Sequence, residues 1–148
     1  MKEKILLPVD GSEISLSVLR YGVRLAQKLD SEVIVVHVLE PYSKNPLILS
    51  QFREEMVQQT EELLETAGQA VIKHAQAAVN TVTIPLEYEI RKGNAAEQIL
   101  LAASEWGCSM IIIGSHGMSA AAEFILGSIS SKVSLHSSVP VLIVKKQH

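Results

Sequence analysis

Two short segments of this 148-residue chain carry residue types that can handle a phosphate. The first is Pro8-Val9-Asp10-Gly11-Ser12, in which a carboxylate and a hydroxyl flank a glycine. The second is Gly114-Ser115-His116-Gly117, followed nine residues later by Gly127-Ser128. Gly114 and Gly117 can take positive φ and let a ligand reach bare backbone. Gly127 and Ser128, at the start of a predicted helix, can present N–H groups and a hydroxyl where partial positive charge favours an anion. An exposed contact of that kind gains only about 0.3–1 kcal/mol per charge. A triphosphate therefore needs several donors together, and a divalent cation beside them. Each segment also has a plainer use. Asp10 or Ser12 can cap the following helix, and the glycines can serve tight packing of strand against helix.

The elements that must position these segments follow from apolar patterning. Ile5 to Val9 is a short unbroken apolar run, the pattern of a strand buried on both faces. Val18, Leu19, Gly22, Val23, Leu25, Ala26 and Leu29 then recur near a 3.6-residue period. Val33 to Leu39 is a second, β-branched strand, and Pro41, Ser43, Asn45 and Pro46 mark a loop. A long helix follows, with Phe52, Met56, Leu63, Ala67 and Ala70 on one stripe, read as core or dimer surface. Val82, Ile84, Leu86, Tyr88 and Ile90 alternate with polar or small residues, as in a half-exposed strand. A helix from Ala95, a buried strand over Met110 to Ile113, a helix over Ser128 to His136 and a strand over Val139 to Val144 complete the chain. The alternation of strand and helix, with long crossovers, defines one doubly wound α/β domain of parallel strands. In such sheets ligands gather at the carboxyl ends of the strands, near the point where strand order reverses. Both segments lie at carboxyl ends.

Composition narrows the function classes. Thirteen Lys and Arg against sixteen Asp and Glu give a net charge of -3, which argues against nucleic acid as the main partner. A single cysteine, Cys108, rules out an intramolecular disulfide and a zinc site built on paired thiolates. Cys108 follows Trp106-Gly107 at a strand entrance and is expected to be buried. His37 lies inside an apolar strand and is expected to be a satisfied core histidine. No run approaches the ~18 apolar residues of a membrane span, and the chain reads as cytoplasmic. Gly is never followed by Lys, so there is no Walker-type phosphate loop. The only aspartates are Asp10 and Asp30, and neither a nucleophile elbow nor an H-E-x-x-H stretch occurs. Fast phosphoryl transfer needs a positioned base and charge-neutralising groups, so the chain is read as a binder rather than an enzyme.

The spacing Gly114-Ser115-His116-Gly117, nine residues, Gly127-Ser128 resembles the glycine signature of the universal stress protein family. Leu7-Pro8-Val9-Asp10-Gly11-Ser12 and Val139-Pro140-Val141-Leu142-Ile143-Val144 resemble the two ends of its domain, so the likeness spans the chain. The resemblance implies a five-stranded parallel sheet in the order 3-2-1-4-5 with helices on both faces. It implies ATP binding, with Mg2+ or Mn2+, across strands one and four; ADP or AMP would fit the same cradle. By position, Asp10 would sit on the ribose and phosphate side and help to hold a metal ion. Val38 would meet adenine with Pro8 and Val9 alongside. Ile113, Gly114, His116 and Gly117 would line the ribose and phosphates, and Gly127, Ser128 and Ile129 would close around the phosphate tail. The resemblance also implies a homodimer through the 139–144 edge. Residues 118–123 contain no Lys or Arg, and Glu123 adds negative charge, so a triphosphate lacks a cationic partner there.

Three functions compete on these grounds. The first is a nucleotide-dependent stress or energy sensor, with hydrolysis at most slow. The second is a nucleotide-independent dimeric interaction module. The third is an ATP-dependent enzyme acting on a small thiol or carbonyl substrate at the loop after strand four.

Overall fold

A computed structural model describes residues 2–41, 50, 53–116 and 126–145. Gly117, Phe52 and the 118–123 segment lie outside the described residues. The elements run β1 (Lys4–Pro8), α1 (Glu13–Lys28), β2 (Glu32–Leu39), α2 (Glu54–Ala78), β3 (Leu86–Lys92), α3 (Ala95–Trp106), β4 (Met110–Gly114), α4 (Ser128–His136) and β5 (Val141–Val144). All four strand pairings are parallel, in the order β3-β2-β1-β4-β5. The doubly wound, single-sheet reading is correct.

Alternate strand residues feed two apolar layers. Ile5, Leu7, Val33, Val35 and Ile112 pack with Val18, Leu19 and Val23 of α1 and Ala75 of α2. Leu6, Ile34, Val36, Ile111 and Ile113 pack with Ile99 and Ala102 of α3 and Val133 of α4. So α1 and α2 cover one face while α3 and α4 cover the other. Both faces of the central strands are dry, which is why they read as unbroken apolar runs. Each fully buried Leu or Ile contributes about 1.5–3 kcal/mol relative to exposure.

Local chemistry sets the boundaries. Ser12 caps α1 by accepting the Ser15 N–H at 3.1 Å. Asn94 caps α3 by accepting the Glu97 N–H at 3.1 Å, and Gly107 ends that helix in the left-handed region at φ 67°. β3 begins at Leu86; Val82 and Ile84 precede it and pack on the α1–α2 layer without pairing. β5 begins after Pro140, which has no N–H to donate, although its carbonyl accepts from Ile111 at 3.0 Å.

The stripe assigned to α2 is on the wrong side for a core. Gly68, Ile72 and Ala75 are the buried residues, whereas Met56, Leu63, Ala67 and Ala70 are exposed. Two apolar stripes run along this helix. The buried one includes Gly68, whose bare Cα lets Leu39 approach: a Cβ there would lie 2.7 Å from Leu39 Cδ2.

At the outer edge, Arg91 bonds Glu89 at 2.6 Å, Glu105 at 2.8 Å and Gln98 at 2.9 Å, tying β3 to α3. The hydrogen bond from Arg91 holds the Glu105 carboxyl below its usual range. Trp106 donates its indole N–H to Glu89 at 3.1 Å, and Lys4 Nζ lies 5.8 Å from its ring centroid. Cys108 is buried, and burial pushes its thiol up to about 11. Among the described residues no helix is long and apolar enough to cross a membrane.

α1 lies close on β1 because Gly22 faces Leu7. A Cβ at Gly22 would lie 2.7 and 2.8 Å from the two Leu7 methyls, and Leu7 is fully buried. Gly22→Val is therefore expected to destabilise the fold by about 1–3 kcal/mol, the usual cost of overpacking. Urea denaturation monitored by circular dichroism measures it; an unchanged midpoint would mean that α1 moves off the sheet without cost.

Candidate functional site

The site begins where β1 and β4 part. They pair only through Ile5–Met110 and Leu6–Ile111. Beyond that point each strand bonds its outer neighbour instead. Val9 donates to Val36 at 2.8 Å on the β2 side, and Ser115 donates to Val144 at 3.0 Å on the β5 side. The helices that follow, α1 and α4, depart to opposite faces. This is the switch point of the sheet, and in doubly wound folds the crevice lies there, at the carboxyl ends of the parting strands.

On the β1 wall, Pro8 ends the strand, Val9 is buried and Asp10 is half-buried just beyond. Gly11 turns the chain into α1 at φ 89°, a conformation that L side chains rarely adopt. Asp10 Oδ1 accepts both the Ser12 N–H at 2.9 Å and the Ser12 hydroxyl at 2.6 Å. Ser12, not Asp10, is the cap of α1, and Asp10 braces it. The Asp10 N–H reaches Ser15 Oγ at 3.3 Å, so the Asp10 backbone and carboxylate are fixed by the same serine-rich turn.

On the β4 wall, Ile113 is buried, Gly114 closes the strand and His116 is half-buried past it. The expectation that Gly114 takes positive φ is wrong: the described glycines that do are Gly11, Gly93 and Gly107. Gly114 is needed for proximity. A Cβ there would lie 3.2 Å from Val18 Cγ2 and 3.4 Å from the His116 carbonyl. Gly127 likewise has an ordinary φ of -58°, and a Cβ on it would lie 3.0 Å from the Ser115 carbonyl oxygen.

The start of α4 is pinned to the end of β4. Gly127 donates its N–H to the Ser115 carbonyl at 2.7 Å, and Ser130 Oγ donates to the Gly114 carbonyl at 2.5 Å. The Gly127 N–H is thus committed to protein, contrary to its expected role as an anion donor. Gly127 is the N-cap and has no side-chain oxygen to offer, so the amides of exposed Ser128 and Ile129 stand at the positive end of α4.

Val38 is placed less directly. It is half-buried near the end of β2, paired with Arg91 of β3, with β1 between it and β4. Pro8, Val9, Asp10, Ile113, Gly114, His116, Gly127, Ser128 and Ile129 share one edge of the sheet around the crevice. Three supporting residues escaped the sequence reading as site components. His37 bonds the Val9 carbonyl through Nδ1 at 2.8 Å, fixing the residue before Asp10; it is satisfied, as expected, but half-buried rather than in the core. Ser115, buried, lies 3.2 Å from His116 Nδ1 through its hydroxyl. Ser130 had a usable signal: a serine three residues after Gly127, one helical turn into α4. Among the described residues no cluster of three or more His, Cys, Asp or Glu is arranged to hold a metal ion.

Sheet order and the parting of β1 and β4 together define a doubly wound α/β protein with its switch point between those two strands. Comparison with known proteins makes this specific. The profile of the universal stress protein family matches residues 1–145, and the chain belongs to that family. Universal stress protein YxiE of Bacillus subtilis is 33% identical over 156 residues, covering 98% of this chain and all of the relative. The structure of protein MJ0577, a universal stress protein of Methanocaldococcus jannaschii, superposes with a TM-score of 0.82 at 29% identity, covering 100% of this chain and 99% of the other. A universal stress protein of Archaeoglobus fulgidus solved in complex with dAMP shares the fold, with a TM-score of 0.64 at 20% identity and 98% coverage of both chains.

The Ser130 bond is the clasp of the β4–α4 junction. Ser130→Ala removes that donor from the half-buried Gly114 carbonyl, a loss of about 0.5–1.5 kcal/mol. Denaturant titration reads the stability loss, and faster amide exchange at Gly127 and Ser131 locates it. Protection equal to wild type at both amides would mean that the junction is held by other contacts.

Proposed function

We propose that this protein binds an adenine nucleotide at the β1–β4 crevice and acts as a dimeric, cytoplasmic, nucleotide-dependent stress or energy sensor. The observation that carries the reading is the convergence of Asp10, Gly114, His116 and the start of α4 on the gap where β1 and β4 cease to pair. The residues fit such a ligand in kind. Glycines at 114 and 127 let α1 and the start of α4 close in on the end of β4, the amino end of α4 stands beside the gap, and Asp10 brings a carboxylate to it. ATP with Mg2+ or Mn2+ is the proposed ligand, the ion shared between Asp10 and the phosphates; ADP and AMP fit the same cradle. The dAMP complex of the Archaeoglobus fulgidus relative supports the ligand class. Binding rather than turnover is the proposed role, with hydrolysis at most slow.

The nucleotide-independent module is favoured by one observation, that the Gly127 amide is already satisfied by Ser115. The two readings separate on a direct measurement. Protein purified without added nucleotide is denatured, the released small molecules are separated by chromatography, and the emptied protein is titrated with ATP and Mg2+. Co-purified adenine nucleotide, or micromolar binding weakened at least tenfold in Asp10→Ala, is the expected result. No nucleotide and no binding at millimolar ATP would leave the interaction module as the function. Gly127→Val should abolish binding while the sheet persists, because its side chain would drive Ser115 and α4 apart.

The β5 edge is the proposed dimer surface. Val141, Leu142 and Ile143 are half-buried in an edge strand, a liability unless covered. Light scattering at micromolar concentration should give a dimer mass; a monomer would remove this element of the proposal.

A further inference from the structure

Among the described residues, helix α2 carries a second apolar face turned away from the sheet. Met56, Leu63, Ala67, Ala70, His74 and Ala77 are exposed along it, with Met56 at 51% and Leu63 at 71%. Their spacings of three, four and seven residues are those of a helix-pairing seam. Thr60 and Thr66, which border the seam, donate their hydroxyls to the Met56 and Glu62 carbonyls of their own helix at 2.8 and 2.9 Å. Neither hydroxyl therefore needs an outside partner. Three of the seam positions are alanine, which lets a facing backbone approach closely.

The charges specify what could face this seam. Acidic residues occupy the first half of α2, whereas Lys73 and His74 are its basic residues and lie in the second half. Glu55 and Lys73 are 18 residues apart, five whole helical turns, so they lie on the same flank; Glu62 lies beside them. When two copies of a helix pair antiparallel, like flanks face each other, and Glu55 and Glu62 of one copy meet Lys73 of the other. A parallel pair would set those carboxylates against the flank of Leu64 and Val71.

We propose that α2 is a self-association surface on which a second copy of this chain packs antiparallel, through Met56, Leu63, Ala67 and Ala70, about a two-fold axis. α2 packs over β2, whereas β5 lies at the opposite side of the sheet. The surface is therefore separate from the β5 edge and does not depend on the nucleotide. A chain with a two-fold surface at each end of its sheet assembles beyond a dimer.

The test is sedimentation of wild type and Leu63→Glu, without nucleotide, from micromolar to millimolar concentration. Leu63 is exposed, so the variant should keep its helical circular dichroism. Wild type should reach a species of twice the largest mass formed by Leu63→Glu. Lys73→Glu should lose the same step, and Glu55→Lys/Glu62→Lys/Lys73→Glu should regain it. Equal masses for wild type and Leu63→Glu at every concentration would overturn the proposal. A triple variant that stays at the lower mass would overturn the antiparallel arrangement.

Discussion

The early parting of β1 and β4 is the constraint on which the rest of the carboxyl edge depends. Two neighbouring parallel strands share only two paired positions before each turns its hydrogen bonds outward. Past those two positions the Val9 and Ser115 amides hold each strand to its outer neighbour, β2 and β5. The parting also decides where the helices go. α1 leaves over one face and α4 over the other, and their amino ends come to flank the same opening.

Around that opening, hydroxyl and carbonyl groups do the positioning. Ser12, Ser15, Ser115 and Ser130 fix Asp10, His116 and the start of α4 through bonds of 2.5 to 3.3 Å. Short side chains suit this task, because they lose little rotamer freedom on being held. The apolar layers beneath hold these anchors at fixed separation. Val18 against Gly114 is the place where the two systems touch, with α1 packed directly on the last residue of β4. A shift in the helix layer is thereby felt at the edge of the crevice.

Much of this was legible in the sequence, for physical reasons. Strands buried on both faces leave unbroken runs such as Met110 to Ile113, and the Asp10 and Gly114 segments announced themselves by residue type at strand ends. The face of α2 was not legible, because a helix with apolar residues on two sides gives no internal sign of which meets the sheet. Nor was the reason for Gly114 and Gly127. A glycine kept for close approach looks the same in sequence as one kept for positive φ, and only the neighbours at 3.0 to 3.4 Å tell them apart. The commitment of the Gly127 amide to Ser115 depends on a contact across the β4–α4 connection, which no local pattern encodes.

Trp106 has a practical consequence for anyone following this molecule optically. It is the chain's single tryptophan, and it ends α3 between Glu89 of β3 and Lys4 at the start of β1. Its emission will follow the melting of the α3 layer, because unfolding strips the ring of Glu89 and Lys4 together.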